Sequence, residues 1–181
     1  MGYETQRLHL TLAHPALAVG VSAFYRRNRE FLRPFEPARD EDFFTTRAQR
    51  SYLAQEARLA RQDRAYRFYL SRKDDPGRII GLVGLNNVVR GAFQSSFVGY
   101  KMDRQLLCQG YMTEALRRLV DIAFDDLLLH RLEASIMPRN TPSLRVAEKV
   151  GFRSEGLSPG YLQVDGVWED HIRMVLLNSH L

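Results

Sequence analysis

Between Ala65 and Met102 the chain carries three consecutive stretches rich in aromatic and branched residues, "AYRFYLSR", "RIIGLVGLNNVV" and "QSSFVGYKM", separated only by "KDDPG" and "RGA". Runs of this kind bounded by Pro, Gly and Asp read as strands joined by turns, and together they predict an antiparallel meander. The pattern then changes abruptly. "DRQLLCQG" is a short polar turn with one glycine, and after it Met112, Leu116, Leu119, Val120, Ala123, Phe124 and Leu127 recur at the spacing of one buried helical face. A strand that runs through a glycine turn into a helix leaves the first helix amides without partners inside the helix. Either solvent, Thr113 and Glu114 cap them, or they face an anion from outside the protein.

The flanking segments complete the frame. "RLHLTLA" alternates as a first strand, and "HPALAVGVSAFYRRNREFL" follows as a helix, with Pro15 in its first turn and Leu17, Val21, Phe24 and Phe31 on one side. "DEDFFTTRAQRSYLAQEARLARQ" opens on acidic residues, as a helix start favours, and reads as a second, more polar helix. Beyond the central helix come a strand "RLEASIM", the turn "PRNTP", and a short helix "SLRVAEKV" stopped by Gly151 with Phe152 behind it. "GYLQVDGVWEDHIRMVLL" reads as two strands around the two-residue turn Asp165-Gly166. The predicted order is β, α, α, three β, α, β, α, β, β. That is an α+β fold, with helices framing a mostly antiparallel sheet.

With 181 residues, 45% hydrophobic and 10% aromatic, the chain can bury a sizeable core, and no repeat, low-complexity tract or linker divides it, so one domain over 1–181 is expected. No apolar run approaches the roughly 18 residues needed to cross a membrane, and "MGYETQRLHLTL" lacks the pattern of a signal peptide, so a cytoplasmic protein without a membrane partner is expected. One cysteine, Cys108, excludes an internal disulfide, and no His/Cys cluster has zinc-ligand spacing, so no metal is expected. A formal charge of +5 suits phosphorylated ligands or polyanions. The basic residues are scattered apart from "YRRNRE", however, and no nucleic-acid-binding signature interleaves them, so sequence-specific nucleic-acid recognition is not expected.

The element order, with its glycine-bearing turn before the central helix, resembles the GNAT superfamily of acetyl-CoA-dependent N-acetyltransferases. "NREFLRPFEPARDE" (28–41), "NNVVRGAFQSSFVGYKM" (86–102), "RNTPSLRVAEKVGF" (139–152) and "YLQVDGVWEDH" (161–171) are similar to the RimJ-type ribosomal-protein-alanine N-acetyltransferases, and the similarity runs from about Arg7 to Leu176. The fold implied is the GNAT fold, a mixed sheet with a splayed pair of central strands and flanking helices. The resemblance implies that Gln105, Leu106, Leu107, Cys108, Gln109 and Gly110, which match Q/R-x-x-G-x-G/A, hold the coenzyme A pyrophosphate together with Tyr111 and Met112 at the helix start. Cys108 stands where the family usually has glycine. Backbone groups of Tyr100, Lys101 and Met102 would pair with the pantetheine arm where "FVGYKM" splays from "RLEASIM". Asn140 and Ser143 would border the thioester, Ser143 handing a proton to the departing thiolate, although both also suit helix capping.

The resemblance also shows what is missing. The glutamate that some relatives use as base falls at Leu162, and the tyrosine acid of the fourth helix falls at Ala147. Glu36, between two prolines in "RPFEP", is the expected substitute, orienting the amine or taking its proton; a solvated loop carboxylate is the alternative. Phe35, Glu36, Tyr161 and Trp168 are expected to line the acceptor channel, and His171 to be structural, paired with a neighbouring carboxylate. The implied reaction is acetyl transfer from acetyl-CoA to a primary amine, foremost the N-terminal alanine of a small-subunit ribosomal protein. A small amine such as a polyamine, aminoglycoside or amino acid is the alternative acceptor, and a non-catalytic acyl-CoA-binding module or a ribosome-associated factor the alternative class. Monomer and homodimer both stay open.

Overall fold

Among the described residues eight strands form one sheet, lying side by side in chain order except that the eighth sits between the sixth and the seventh. The computed structural model describes residues 2–179. Its strands are β1 (Gly2–Glu4), β2 (Leu8–Leu12), β3 (Tyr66–Arg72), β4 (Asp75–Val89), β5 (Ser95–Met102), β6 (Arg131–Ile136), β7 (Arg153–Val164) and β8 (Val167–Leu177). The helices are α1 (Ala18–Leu32), α2 (Thr46–Arg61), α3 (Tyr111–Asp121) and α4 (Thr141–Val150). Alternation along the strands fills two cores, one on each face. Leu8, Leu10, Phe68, Leu70, Ile80 and Val83 pack against Met112, Leu116 and Leu119 of α3 and Ala147 of α4. Tyr69, Ile79 and Leu82 look the other way, onto Val21, Phe24 and Tyr25 of α1 and Leu53 of α2.

The pairing of β5 with β6 positions the site. It is the one parallel pair among the described residues, and it lasts only from Ser95 opposite Arg131 to Phe97 opposite Glu133. Beyond that point β5 keeps β4, with Gly99 opposite Gly84 and Met102 opposite Gly81. β6 meanwhile keeps β8, as far as Ile136 opposite Ile172. The expected splay is therefore present. Each bank of the gap offers backbone groups that no strand pairs, a state that calls for water or a ligand.

Several boundaries differ from the sequence reading. β1 precedes the first expected strand; its three residues are too few for periodicity to mark. The acidic start of the second helical stretch is a separate 3-10 turn, Glu41–Phe44, because Asp40 caps it at Phe43 N (2.9 Å) while extended Thr45 caps α2 at Ala48 N (3.1 Å). The turn between β3 and β4 is Lys73–Asp74 alone, and Asp75-Pro76-Gly77 already belongs to the strand. β7 starts at Arg153 rather than near Gly160; exposure along most of its length and irregular register between Ser154/Gly156 and Ser158/Leu162 hide its alternation. The Asp165-Gly166 turn is as expected, with φ of 45° and 85°, and Gly151 stops α4 at φ 110° with Phe152 buried behind it.

Candidate active site

The site begins where β5 ends. Asp103, fully buried, accepts from Arg27 Nε (2.7 Å), Arg78 Nη2 (3.0 Å) and the Gln105 amide (3.1 Å). Burial pushes its carboxyl up, but the Gln105 amide, Arg78 and Arg27 outweigh burial and hold it below the usual value. This anchor launches a 3-10 turn, Arg104–Leu106, after which Cys108 (φ 60°) and Gly110 (φ 82°) reverse the chain into α3.

No side chain caps α3. Glu114, one of the caps the sequence offered, turns away: it accepts from the Arg7 amide (2.8 Å), Arg7 Nε (2.6 Å) and Thr5 Oγ1 (2.6 Å). Thr113 does not cap the helix start either. Among the described residues no acceptor takes the amides of Gln109, Gly110, Tyr111 and Met112. Arg7 adds positive charge beside this helix start, stacking on the Tyr111 ring at 4.2 Å and donating to the Gln109 carbonyl at 3.0 Å. Unclaimed amides, the positive end of a helix and a guanidinium together suit a phosphate. The side chains nearby are otherwise engaged: Gln105 Oε1 accepts from Arg78 Nη2 (2.7 Å), Met112 is buried in the core, and Leu107 and Cys108 point outward. What the turn offers a ligand is backbone.

On the banks of the gap, successive β5 residues serve opposite faces. Tyr100 packs toward α4, where its hydroxyl donates to the Ser143 carbonyl (2.8 Å) and accepts from Ser143 Oγ (3.0 Å). Burial pushes the Tyr100 phenol up to about 12, so it stays protonated at any ordinary pH. Asn140 Oδ1 accepts from the Ser143 amide (3.4 Å) and so caps α4. Lys101 points to the opposite face and pairs with Glu36 Oε1, its ammonium 5.4 Å from the Tyr25 ring. Glu36 is 9% exposed, which sets aside the solvated loop carboxylate. Its other oxygen has no partner among the described residues.

A clasp roofs this side. The Glu36 carbonyl accepts from the Asp165 amide (3.1 Å), and Arg33 Nε meets Asp165 at 3.1 Å, so the β7–β8 hairpin tip rests on the loop after α1. Arg139, ahead of α4, donates to the Pro34 carbonyl (3.0 Å) and to Glu169 (2.8 Å) and lies 5.6 Å over Phe35. Tyr161 packs 5.8 Å from His171 on the same side. His171 corrects the sequence reading: its Nδ1 bonds the main-chain carbonyl of Glu169 (2.9 Å), not a carboxylate. Trp168 is not brought to the others; it is 66% exposed, on the strand face away from His171. Leu162 is half-exposed. The Lys101–Glu36 pair, the Tyr100–Ser143 hydroxyls and the Arg139 bridge escaped the sequence reading. Each joins segments dozens of residues apart, and no local spacing announces them. A cavity of about 670 Å³ lies elsewhere, between β1–β3 and α2, lined by Tyr3, His14, Phe68 and Leu127.

Comparison with known proteins decides what this arrangement belongs to. Residues 7–153 match the acetyltransferase (GNAT) domain family. The chain belongs to the GNAT acetyltransferase family. As a member it is an acetyl-CoA-dependent N-acetyltransferase, with the splayed sheet of that fold. This GNAT chain is 42% identical over 151 residues to a probable N-acetyltransferase, YjcK, of Bacillus subtilis, covering 83% of each protein. It is 34% identical over 172 residues to the [ribosomal protein uS5]-alanine N-acetyltransferase of Escherichia coli, covering 95% of this chain and 88% of that one. Among solved structures it resembles the ribosomal-protein-S5-alanine acetyltransferase of Vibrio fischeri, with a TM-score of 0.94 and 33% identity over 99% of this chain and 97% of that one. It also resembles Mycobacterium smegmatis RimJ in complex with CoA-disulfide, with a TM-score of 0.90 and 31% identity over 96% and 83%. No helix among the described residues of this GNAT acetyltransferase is long and apolar enough to cross a membrane.

Proposed function

We propose that this enzyme acetylates the α-amino group of a protein N-terminus, alanine first, with a small-subunit ribosomal protein in the cytoplasm as the leading acceptor. Similarity along nearly the whole chain to alanine N-acetyltransferases of ribosomal protein uS5 supports the protein acceptor. The observation that carries the reading is the acceptor mouth itself. Its carboxylates are each matched by a cation: Glu36 by Lys101, Glu169 by Arg139, Asp165 by Arg33. A polyamine or aminoglycoside needs uncompensated negative charge, and this mouth offers one free carboxylate oxygen, on Glu36. That suits a single ammonium on an otherwise uncharged backbone.

In this reading the coenzyme supplies an activated acetyl thioester and a thiolate leaving group. The amides of Gln109 to Met112 hold its pyrophosphate, the free backbone of Tyr100 to Met102 aligns its pantetheine arm, and Asn140 and Ser143 border its thioester. Gly110 lets backbone approach the phosphates; a Cβ there would stand 3.3 Å from Arg7 Nη2 at a φ of 82°. Glu36 draws in the acceptor ammonium. An N-terminal amine has a pKa of about 8, so a modest base suffices to free its lone pair. Ser143 Oγ, held by Tyr100, gives a proton to the thiolate.

The test offers acetyl-CoA with peptides that differ only in their first residue, beside polyamines and aminoglycosides, and follows thiol release. Peptides beginning with Ala, and next Ser, should turn over, and those with bulky or charged first residues should not. Rapid turnover of polyamines with no peptide activity would overturn the reading.

A further inference from the structure

One buried titratable group takes no part in the scheme above. His171 is 4% exposed on β8, opposite Ser158 of β7. Its Nδ1 lies 2.9 Å from the Glu169 carbonyl oxygen. A carbonyl can only accept, so Nδ1 carries the hydrogen and Nε2 of the neutral ring carries the lone pair. Nε2 has no hydrogen-bond partner among the described residues. Nor is it sealed in protein: the side-chain polar atoms there that are both sealed and unpartnered are Arg78 Nε and Arg118 Nε. A ring nitrogen that has no protein partner and is not sealed is satisfied by water or by a ligand. This one is fixed by its backbone side and open on the other.

Its place in the sheet matters as much. The next residue, Ile172, packs on the α3–α4 core and faces Ile136, the last residue of β6. His171 therefore looks out of the opposite face, at the level where β5 and β6 have parted. Lys101 looks out of that same face, because its neighbours Tyr100 and Met102 pack on the α3–α4 core. The hairpin bearing His171 is bound to the Glu36 loop through Asp165 and Arg33, and through Arg139 between Glu169 and Pro34.

We infer that His171 Nε2 is the proton acceptor for the incoming amine, directly or through one water, while Glu36 orients it. This rests on the amine-acetylation reading. The acceptor enters as an ammonium with three protons on nitrogen. Nε2 takes the first, giving an imidazolium that passes it to solvent. The neutral amine forms the C–N bond to the acetyl carbon as the C–S bond breaks. The nitrogen's second proton passes to Nε2, neutral again, and on to solvent, while the sulfur takes the Ser143 Oγ proton and Ser143 regains one from solvent, so that one proton is released overall. The amide keeps the third.

Two variants separate this role from a structural one. His171→Asn keeps an N–H donor near the position of Nδ1 for the Glu169 carbonyl but lacks the Nε2 lone pair. His171→Ala leaves room for added imidazole. With acetyl-CoA and an alanine-first peptide, both should bind acetyl-CoA with wild-type affinity in calorimetry and lose about 10²- to 10⁴-fold in kcat. Imidazole should restore much of the activity of His171→Ala and none to the wild type. Wild-type kcat in His171→Asn, or a loss in His171→Ala that imidazole leaves untouched, would make His171 a packing residue. Wild-type enzyme that acetylates no amine would instead remove the reading beneath the inference, whatever the variants do.

Discussion

Cys108 has a φ of 60°, a conformation that costs a side-chain-bearing residue about 1 kcal/mol or more and glycine nothing. Its thiol is exposed. Cys108→Gly should therefore leave acetyl-CoA affinity unchanged or tighter and change stability by no more than about 1 kcal/mol, since glycine's greater freedom when unfolded offsets the relief. Weaker binding would mean that the thiol itself touches the coenzyme. Gly110→Asp should do the reverse. It brings a carboxylate to the helix start, and like charges about 4 Å apart cost from about 1 kcal/mol in water to ~4 near a protein surface. Affinity should fall about tenfold to a thousandfold in titration calorimetry, with an unchanged circular dichroism spectrum. Glu36→Gln removes the charge proposed to draw in the ammonium. A hydrogen bond to a charged group is worth about 1.5–3 kcal/mol, so kcat/KM for the acceptor should drop about ten- to a hundredfold while acetyl-CoA affinity holds. Full activity would reduce Glu36 to a partner that tethers Lys101.

At the scale of elements, Asp103 joins α1 through Arg27, β4 through Arg78 and the turn before α3 through the Gln105 amide. Its carboxyl titrates below the usual 3.8 in the folded chain, so the stability it gives is present above that value and is lost as pH falls below it. In urea unfolding, Asp103→Asn should cost about 1–3 kcal/mol at pH 7 and progressively less as pH falls below ~4, where the unfolded wild type takes up a proton before the folded one does. A cost that is the same at both pH values would refute the ionic role. What the sequence made legible at this scale follows from local periodicity. The stripe from Met112 to Leu127, the Asp165-Gly166 turn and the Gly151 stop all announce themselves within one turn or one hairpin. β7 did not, because it is exposed along most of its length and irregular in register. The Glu114 cap was a sound local reading that tertiary contact overrode: Arg7 and Thr5, more than 100 residues away, claim the carboxylate. The coenzyme turn could be proposed from sequence because its ligand would be held by contiguous backbone. On the proposed acceptor side the resemblance pointed to Glu36, but not to its pairing with Lys101 or to the Arg139 bridge between Pro34 and Glu169, because these join separate segments.

Taken whole, the molecule is a sheet opened between β5 and β6, closed beneath by α3 and α4 and roofed on the other face by the clasp of loop and hairpin. The proposed chemistry depends on the coenzyme lying in that opening with its phosphates on the start of α3. Hydrogen exchange over the whole chain, with and without acetyl-CoA, reads this most directly. Amides without acceptors exchange fast in the free protein and slow when a ligand takes them. Acetyl-CoA should slow exchange at Gln109 to Met112 and along the gap side of Val98 to Met102, leaving β1, β2 and α2 as they were. Protection confined to the cavity between β1–β3 and α2, or no protection at the α3 start under saturating acetyl-CoA, would contradict the account.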